Sequence, residues 1–93
     1  MSNLRDGARA FQARNEDRRV QAGQAVALSL ICGLGLSSVL AAQGGERSLA
    51  IKAIERSLRR ERLKGLAGHW SYDLNRHIAL KQVFDRLMRT GDA

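Results

Sequence analysis

Apolar residues recur along this chain with the period of an α-helix. Near the N-terminus, Leu4, Ala8 and Phe11 lie four and three residues apart, and polar residues fill most of the positions between them. The same spacing appears in two later segments, whose apolar positions are Ala50, Ile51, Ile54, Leu58 and Leu66, then Leu74, Ile78, Leu80, Val83, Phe84, Leu87 and Met88. Such spacing places apolar side chains on one side of a helix, so it predicts an all-α protein.

Glycines, rather than prolines, mark the expected helix ends. The chain of 93 residues contains no proline, whereas Gly44-Gly45 interrupts the pattern and Gly65 and Gly68 follow the second amphipathic segment. Ser71 is predicted to cap the last helix. We therefore predict one domain over residues 1–93, with a basic N-terminal helix over 1–20, an apolar helix over 21–43 and two amphipathic helices over 46–66 and 71–90. The predicted fold is a three-helix arrangement, in which one long apolar helix is followed by a basic amphipathic helical hairpin.

Residues 20–45 carry no charged side chain. The mean hydropathy of residues 24–42 is about 1.8, and a helix needs about 20 residues to cross a bilayer core. A helix that is apolar on nearly all sides is buried, either in lipid or at the centre of an oligomer. The sequence leaves both alternatives open.

Small residues occupy every fourth position of this uncharged stretch. Residues four apart stack along one face of a helix, and small side chains there allow another helix to approach closely. The sequence therefore predicts a packing groove for self-association or for a protein partner, formed by Ala25, Ser29, Gly33, Ser37 and Ala41.

The charge of the chain indicates an anionic partner. It has 16 Lys and Arg residues against 9 Asp and Glu, a formal net charge of +7. Basic residues also recur along the 46–66 segment, which predicts an anion-binding ribbon formed by Lys52, Arg56, Arg59, Arg60 and Lys64. Such a ribbon suits an anionic lipid surface, a nucleic-acid backbone or an acidic protein face. A solvated helix face without a partner has the same pattern.

A helix–turn–helix made of the last two helices is a further possibility for nucleic acid. In that arrangement Asn75, Arg76 and Lys81 would lie on the second helix, where such residue types contact bases or phosphates. However, positive and negative charges nearly balance in this helix, which is unusual for a recognition helix. The nucleic-acid interpretation therefore depends mainly on the preceding basic helix.

Few residues offer catalytic or metal-binding chemistry. Cys32 is the single cysteine and lies in the apolar stretch, so neither a disulfide within one chain nor a cysteine-based zinc site is expected. His69, Asp73 and His77 share a four-residue spacing that suits metal ligation, but His69 precedes the predicted helix and no fourth ligand is evident. We expect no enzyme activity, no metal, no cofactor and no small-molecule substrate.

These features predict a small accessory or regulatory protein that binds its partner through helices. In the first interpretation, a membrane-inserted or hydrophobically docked helix over 21–43 carries a basic hairpin on the cytoplasmic side. In the second, the chain is a cytoplasmic basic helical oligomer that binds nucleic acid or the acidic face of a protein, as an adaptor or inhibitor. The two interpretations differ in what covers the uncharged stretch.

Overall fold

A computed structural model describes residues 4–90, and its regular secondary structure is entirely helical. This confirms the all-α prediction. Within residues 4–90 there are four helices, and the predicted three-helix arrangement is not confirmed: α1 (Leu4–Cys32), α2 (Leu36–Ala41), α3 (Gly44–Ala67) and α4 (Leu74–Thr90).

The predicted apolar helix over residues 21–43 is not one helix in the structure. Helix α1 runs through the expected boundary near residue 20, because a change from charged to apolar side chains does not break backbone hydrogen bonding. The helix ends instead at Cys32, where Gly33 adopts a φ of 69° that favours glycine. Gly35 then precedes the short helix α2. Two glycines around Leu34 thus divide the uncharged stretch between two helices.

The described residues contain no helix that is both long enough and apolar enough to cross a membrane.

The hydrophobic core draws side chains from all four helices. Its buried members are Leu28 from α1, Val39 from α2, Ile54 from α3, and Leu80, Val83 and Leu87 from α4. Since α4 supplies three of them and contacts both α1 and α3, it is the central helix of the bundle. Leu34, Leu36 and Leu40 pack against this core, so the chain after Gly33 folds back over it.

Helix α4 runs antiparallel to α3. The Arg47 side chain, near the start of α3, donates to the carbonyl oxygen of Leu87, near the end of α4. At the opposite end of α3, Gly65 lies against the ring of Tyr72, just before α4 begins. On the α1 side, the buried Gln24 donates to the side chain of Gln82 (3.4 Å) and accepts from Arg86 (3.5 Å). These contacts link α4 to α3 on one side and to α1 on the other.

Helix α3 ends at Ala67 and is capped by Gly68, which has the left-handed conformation that glycine favours. With φ at 64°, the Gly68 amide donates to the carbonyl of Gly65 (3.2 Å), and the His69 amide donates to that of Lys64 (3.0 Å). This pair of bonds satisfies carbonyls left over at the helix end. The next helix begins after Asp73, whose carboxylate accepts from the Arg76 amide (3.2 Å). Asp73, and not the predicted Ser71, therefore caps α4.

Replacing Gly68 with alanine is expected to lower the free energy of unfolding by about 1 kcal/mol, because a Cβ atom is strained at this φ. Urea unfolding followed by circular dichroism measures the change. Gly45→Ala is the matched control: Gly45 lies in the first turn of α3 with open space around it, so this substitution should be neutral or slightly stabilising. Equal effects of the two substitutions would contradict a role for the Gly68 conformation.

Candidate binding face on helix α3

The structure does not bring the five small residues together as one groove. Ala25 and Ser29 lie on α1, Gly33 lies in the turn that ends α1, and Ser37 and Ala41 lie on α2. Because the helix axis is interrupted at Gly33, a four-residue spacing no longer places residues on a common face. The packing groove predicted for a continuous helix is therefore not formed.

The basic residues of α3, by contrast, do share one helix. Lys52, Arg56, Arg59 and Arg60 are exposed, and Lys64 is half-buried. The buried residues of the same helix are Ile54, Ser57 and Glu61. The helical repeat of 3.6 residues puts Lys52, Arg56 and Arg59 on the side opposite these buried residues.

Arg60 and Lys64 lie at the edge of this basic surface and have partners within α3. Arg60 donates to the hydroxyl of Ser57 (3.1 Å), and the Lys64 amine lies 3.4 Å from the carboxylate of Glu61. Glu61 points inward and is 6% exposed, so it neutralises Lys64 rather than Arg59. No ion pair within residues 4–90 involves Lys52, Arg56 or Arg59. Of the five residues in the predicted ribbon, these three remain available to a partner.

Exposed leucines extend the same side of α3 beyond the cations. Leu49, Leu63 and Leu66 are 70%, 65% and 76% exposed, so Leu66 does not lie on the buried apolar side of the helix, where the sequence pattern had placed it. Together with the cations they form a line with intervals of three and four residues, which we call the α3 seam: Leu49, Lys52, Arg56, Arg59, Leu63 and Leu66. A line with this spacing follows one side of a helix, as in coiled coils. The spacing of these leucines is visible in the sequence, but the predicted anion-binding ribbon was based on the basic residues alone.

Next to the seam, a cavity of about 280 Å³ opens between α1, α3 and the turn before α4. Its charged lining consists of Arg60, Glu61, Lys64, Asp73 and Arg76. Both carboxylates have a cation nearby, Glu61 with Lys64 (3.4 Å) and Asp73 with Arg76 (3.8 Å). The cavity thus extends the basic surface only modestly, since most of its charge is balanced locally.

The residues considered for metal binding take part in local contacts. The Nδ1 atom of His69 lies 2.7 Å from the Ser71 hydroxyl, and that of His77 lies 2.7 Å from the Tyr72 hydroxyl. Among residues 4–90, no three His, Cys, Asp or Glu side chains are grouped so that they could hold a metal ion. Cys32 is half-buried against the core.

The two cations predicted for a recognition helix each lie near a carboxylate group. On α4, Arg76 lies 3.8 Å from Asp73, and Lys81 lies 2.5 Å from Asp85. Asn75 is exposed beside them. Helix α4 therefore offers less free positive charge than α3.

Along α3, exposed cations thus lie between exposed leucines. Comparison of the chain with protein-family models, with curated proteins and with solved structures gives no match.

Proposed function

We propose that this is a non-enzymatic accessory or regulatory protein that binds an acidic helix of a partner protein along the α3 seam. The observation that supports the proposal is the order of side chains in the seam, with Lys52, Arg56 and Arg59 in the middle and leucines at both ends. A helix carrying carboxylates opposite the cations and apolar residues opposite the leucines would complement it. Arginine favours such a partner because its guanidinium can bind a carboxylate with two parallel hydrogen bonds.

The same order argues against the other anionic partners. A helix that lies on a membrane inserts a continuous apolar face and keeps its cations on the polar face, whereas the seam has cations between its leucines. A nucleic-acid backbone would engage Arg56 and Arg59 but would leave the exposed leucines without apolar contacts. Two copies of the seam would bring Arg56 and Arg59 against each other, and like charges at an interface are unfavourable.

The test uses a synthetic acidic helix as the probe. The peptide carries glutamates at the central seam positions and leucines at both ends, and a scrambled peptide of the same composition serves as the reference. We expect the designed peptide to bind, and the double variant Arg56→Glu/Arg59→Glu to weaken binding at least about tenfold, or 1.4 kcal/mol, because two attractive contacts become repulsive. Fluorescence anisotropy measures the Kd.

The matched control is Arg9→Glu/Arg89→Glu, which changes the net charge equally at two exposed positions outside α3. It should leave the Kd nearly unchanged. Equal losses from the two double variants would mean that only net charge matters and would overturn the proposal. Tighter binding to a DNA duplex would favour a nucleic-acid partner, and tighter binding to phosphatidylserine vesicles a membrane surface. Either result would also replace the proposal.

A further inference from the structure

An open depression lies on the exposed side of α3, within the α3 seam. Its volume is about 490 Å³, and the residues that line it are Arg56, Arg59, Arg60 and Leu63. The helical repeat places all four within about 100° of one another around the helix axis, so they share one side of the helix. Three guanidinium groups therefore border one site, with an apolar side chain beside them.

Neighbouring carboxylates do not balance the positive charge of this depression. No ion pair within residues 4–90 involves any of its three arginines. Arg60 donates to the hydroxyl of Ser57 (3.1 Å), but this bond leaves its charge and its other N–H groups available. Glu61 is buried and paired with Lys64, and Glu55 does not line the depression. Three positive charges thus remain for a ligand.

Like charges also surround Arg56 along the helix. Lys52 lies four residues before it, and Arg59 and Arg60 lie three and four residues after it. Ala53 occupies the remaining position one turn away, so no acidic residue interrupts the group. Like charges at this spacing destabilise a helix. A bound anion would relieve the repulsion, so binding and the stability of α3 are linked.

The depression suits a ligand with two negative charges and several acceptor atoms. A phosphate monoester has a charge of about −1.5 to −2 at neutral pH and three acceptor oxygens, whereas a carboxylate has a single charge shared by two oxygens. Each phosphodiester of a nucleic acid also has a single charge. Guanidinium groups bind phosphate oxygens through paired N–H donors. Three of them therefore match a monoester better than a singly charged group.

We infer that this depression binds a phosphate monoester, carried by the acidic partner helix as a phosphorylated serine or threonine. The inference rests on the proposed function, because the depression includes Arg56, Arg59 and Leu63 of the α3 seam. On a helix that follows the seam, the aliphatic part of the phosphorylated side chain would lie near Leu63, and apolar residues would cover the other exposed leucines. Free phosphate would leave these leucines exposed. Phosphorylation of the partner would then control its binding.

The test compares two peptides that differ at one position. The first is the designed acidic peptide, and the second has phosphoserine in place of the glutamate opposite the depression. We expect the full chain to bind the phosphoserine peptide about tenfold more tightly, because more charge-assisted hydrogen bonds form. Arg60→Gln should reduce this preference to about threefold or less, since it removes one guanidinium and leaves the α3 seam unchanged. Fluorescence anisotropy measures each Kd.

Arg62→Gln is the matched control. Arg62 is an exposed arginine of the same helix that does not line the depression, so the preference should stay at about tenfold. Circular dichroism of both variants checks that the helices are intact. Equal losses of preference in the two variants would mean that net charge, and not the depression, selects the phosphate, and would overturn the inference.

The remaining outcomes separate this inference from the proposed function. Equal affinity of the wild-type chain for the two peptides would overturn the inference and leave the proposed function in place. Binding of neither peptide would overturn both. Vesicles that contain phosphatidic acid, whose headgroup is a phosphate monoester, test a lipid as the source. Tighter binding to these vesicles than to the phosphoserine peptide would place the monoester on a membrane and contradict the inference.

Discussion

Replacing Leu80 with alanine is expected to lower the free energy of unfolding by about 3 kcal/mol. Leu80 is fully buried on the central helix α4, in one cluster with Leu28 of α1 and Ile54 of α3. Truncation to alanine removes apolar contacts and leaves a cavity that rigid helices can fill only in part. A loss of this size is a large share of the 5–15 kcal/mol that stabilises most domains. Urea unfolding followed by circular dichroism provides the measurement.

Leu49→Ala is the control for this prediction. It deletes the same atoms from a side chain that is mostly exposed on α3, so the free energy of unfolding should change by less than about 0.5 kcal/mol. If Leu80→Ala cost no more than Leu49→Ala, the packing of α4 between α1 and α3 would be wrong. The comparison therefore tests the arrangement of the bundle as well as the role of one residue.

Replacing Gly65 with alanine is expected to destabilise the protein by about 2 kcal/mol. Alanine normally stabilises the interior of a helix by about 1 kcal/mol relative to glycine. Here, however, the added Cβ atom would lie 2.9 Å from the ring of Tyr72, closer than such atoms pack. The ring is held in place, since its hydroxyl group is hydrogen-bonded to His77. Steric overlap is therefore expected to outweigh the gain in helix propensity.

A double-mutant cycle isolates this overlap. In the Tyr72→Ala background the ring is absent, so Gly65→Ala should become neutral or stabilising by up to about 1 kcal/mol. Thermal and urea unfolding of the four chains give the coupling free energy between the two positions. If Gly65→Ala still destabilises the protein in the Tyr72→Ala background, the Tyr72 ring is not the cause of the loss. The need for glycine at position 65, beside the α3–α4 turn, would then have another explanation.

The sequence by itself determined the helical class and much of the helix placement. Its apolar spacing predicted α3 over 46–66 and α4 over 71–90, close to the observed Gly44–Ala67 and Leu74–Thr90. The exposed cations of α3 also follow from the sequence, because a residue's position on a helix depends only on the helical repeat. Helix periodicity is a local property, and local properties can be read without the fold.

Only the tertiary structure decided what happens to the uncharged stretch. Hydropathy is a sum over residues, and it is the same for a continuous apolar helix as for two helices joined at Gly33. The chain turns there because Leu28, Leu36 and Val39 can then reach a core that α3 and α4 complete. The inward position of Glu61 depends in the same way on neighbours that are distant in sequence. Contacts between helices therefore decided which residues remain available to bind a partner.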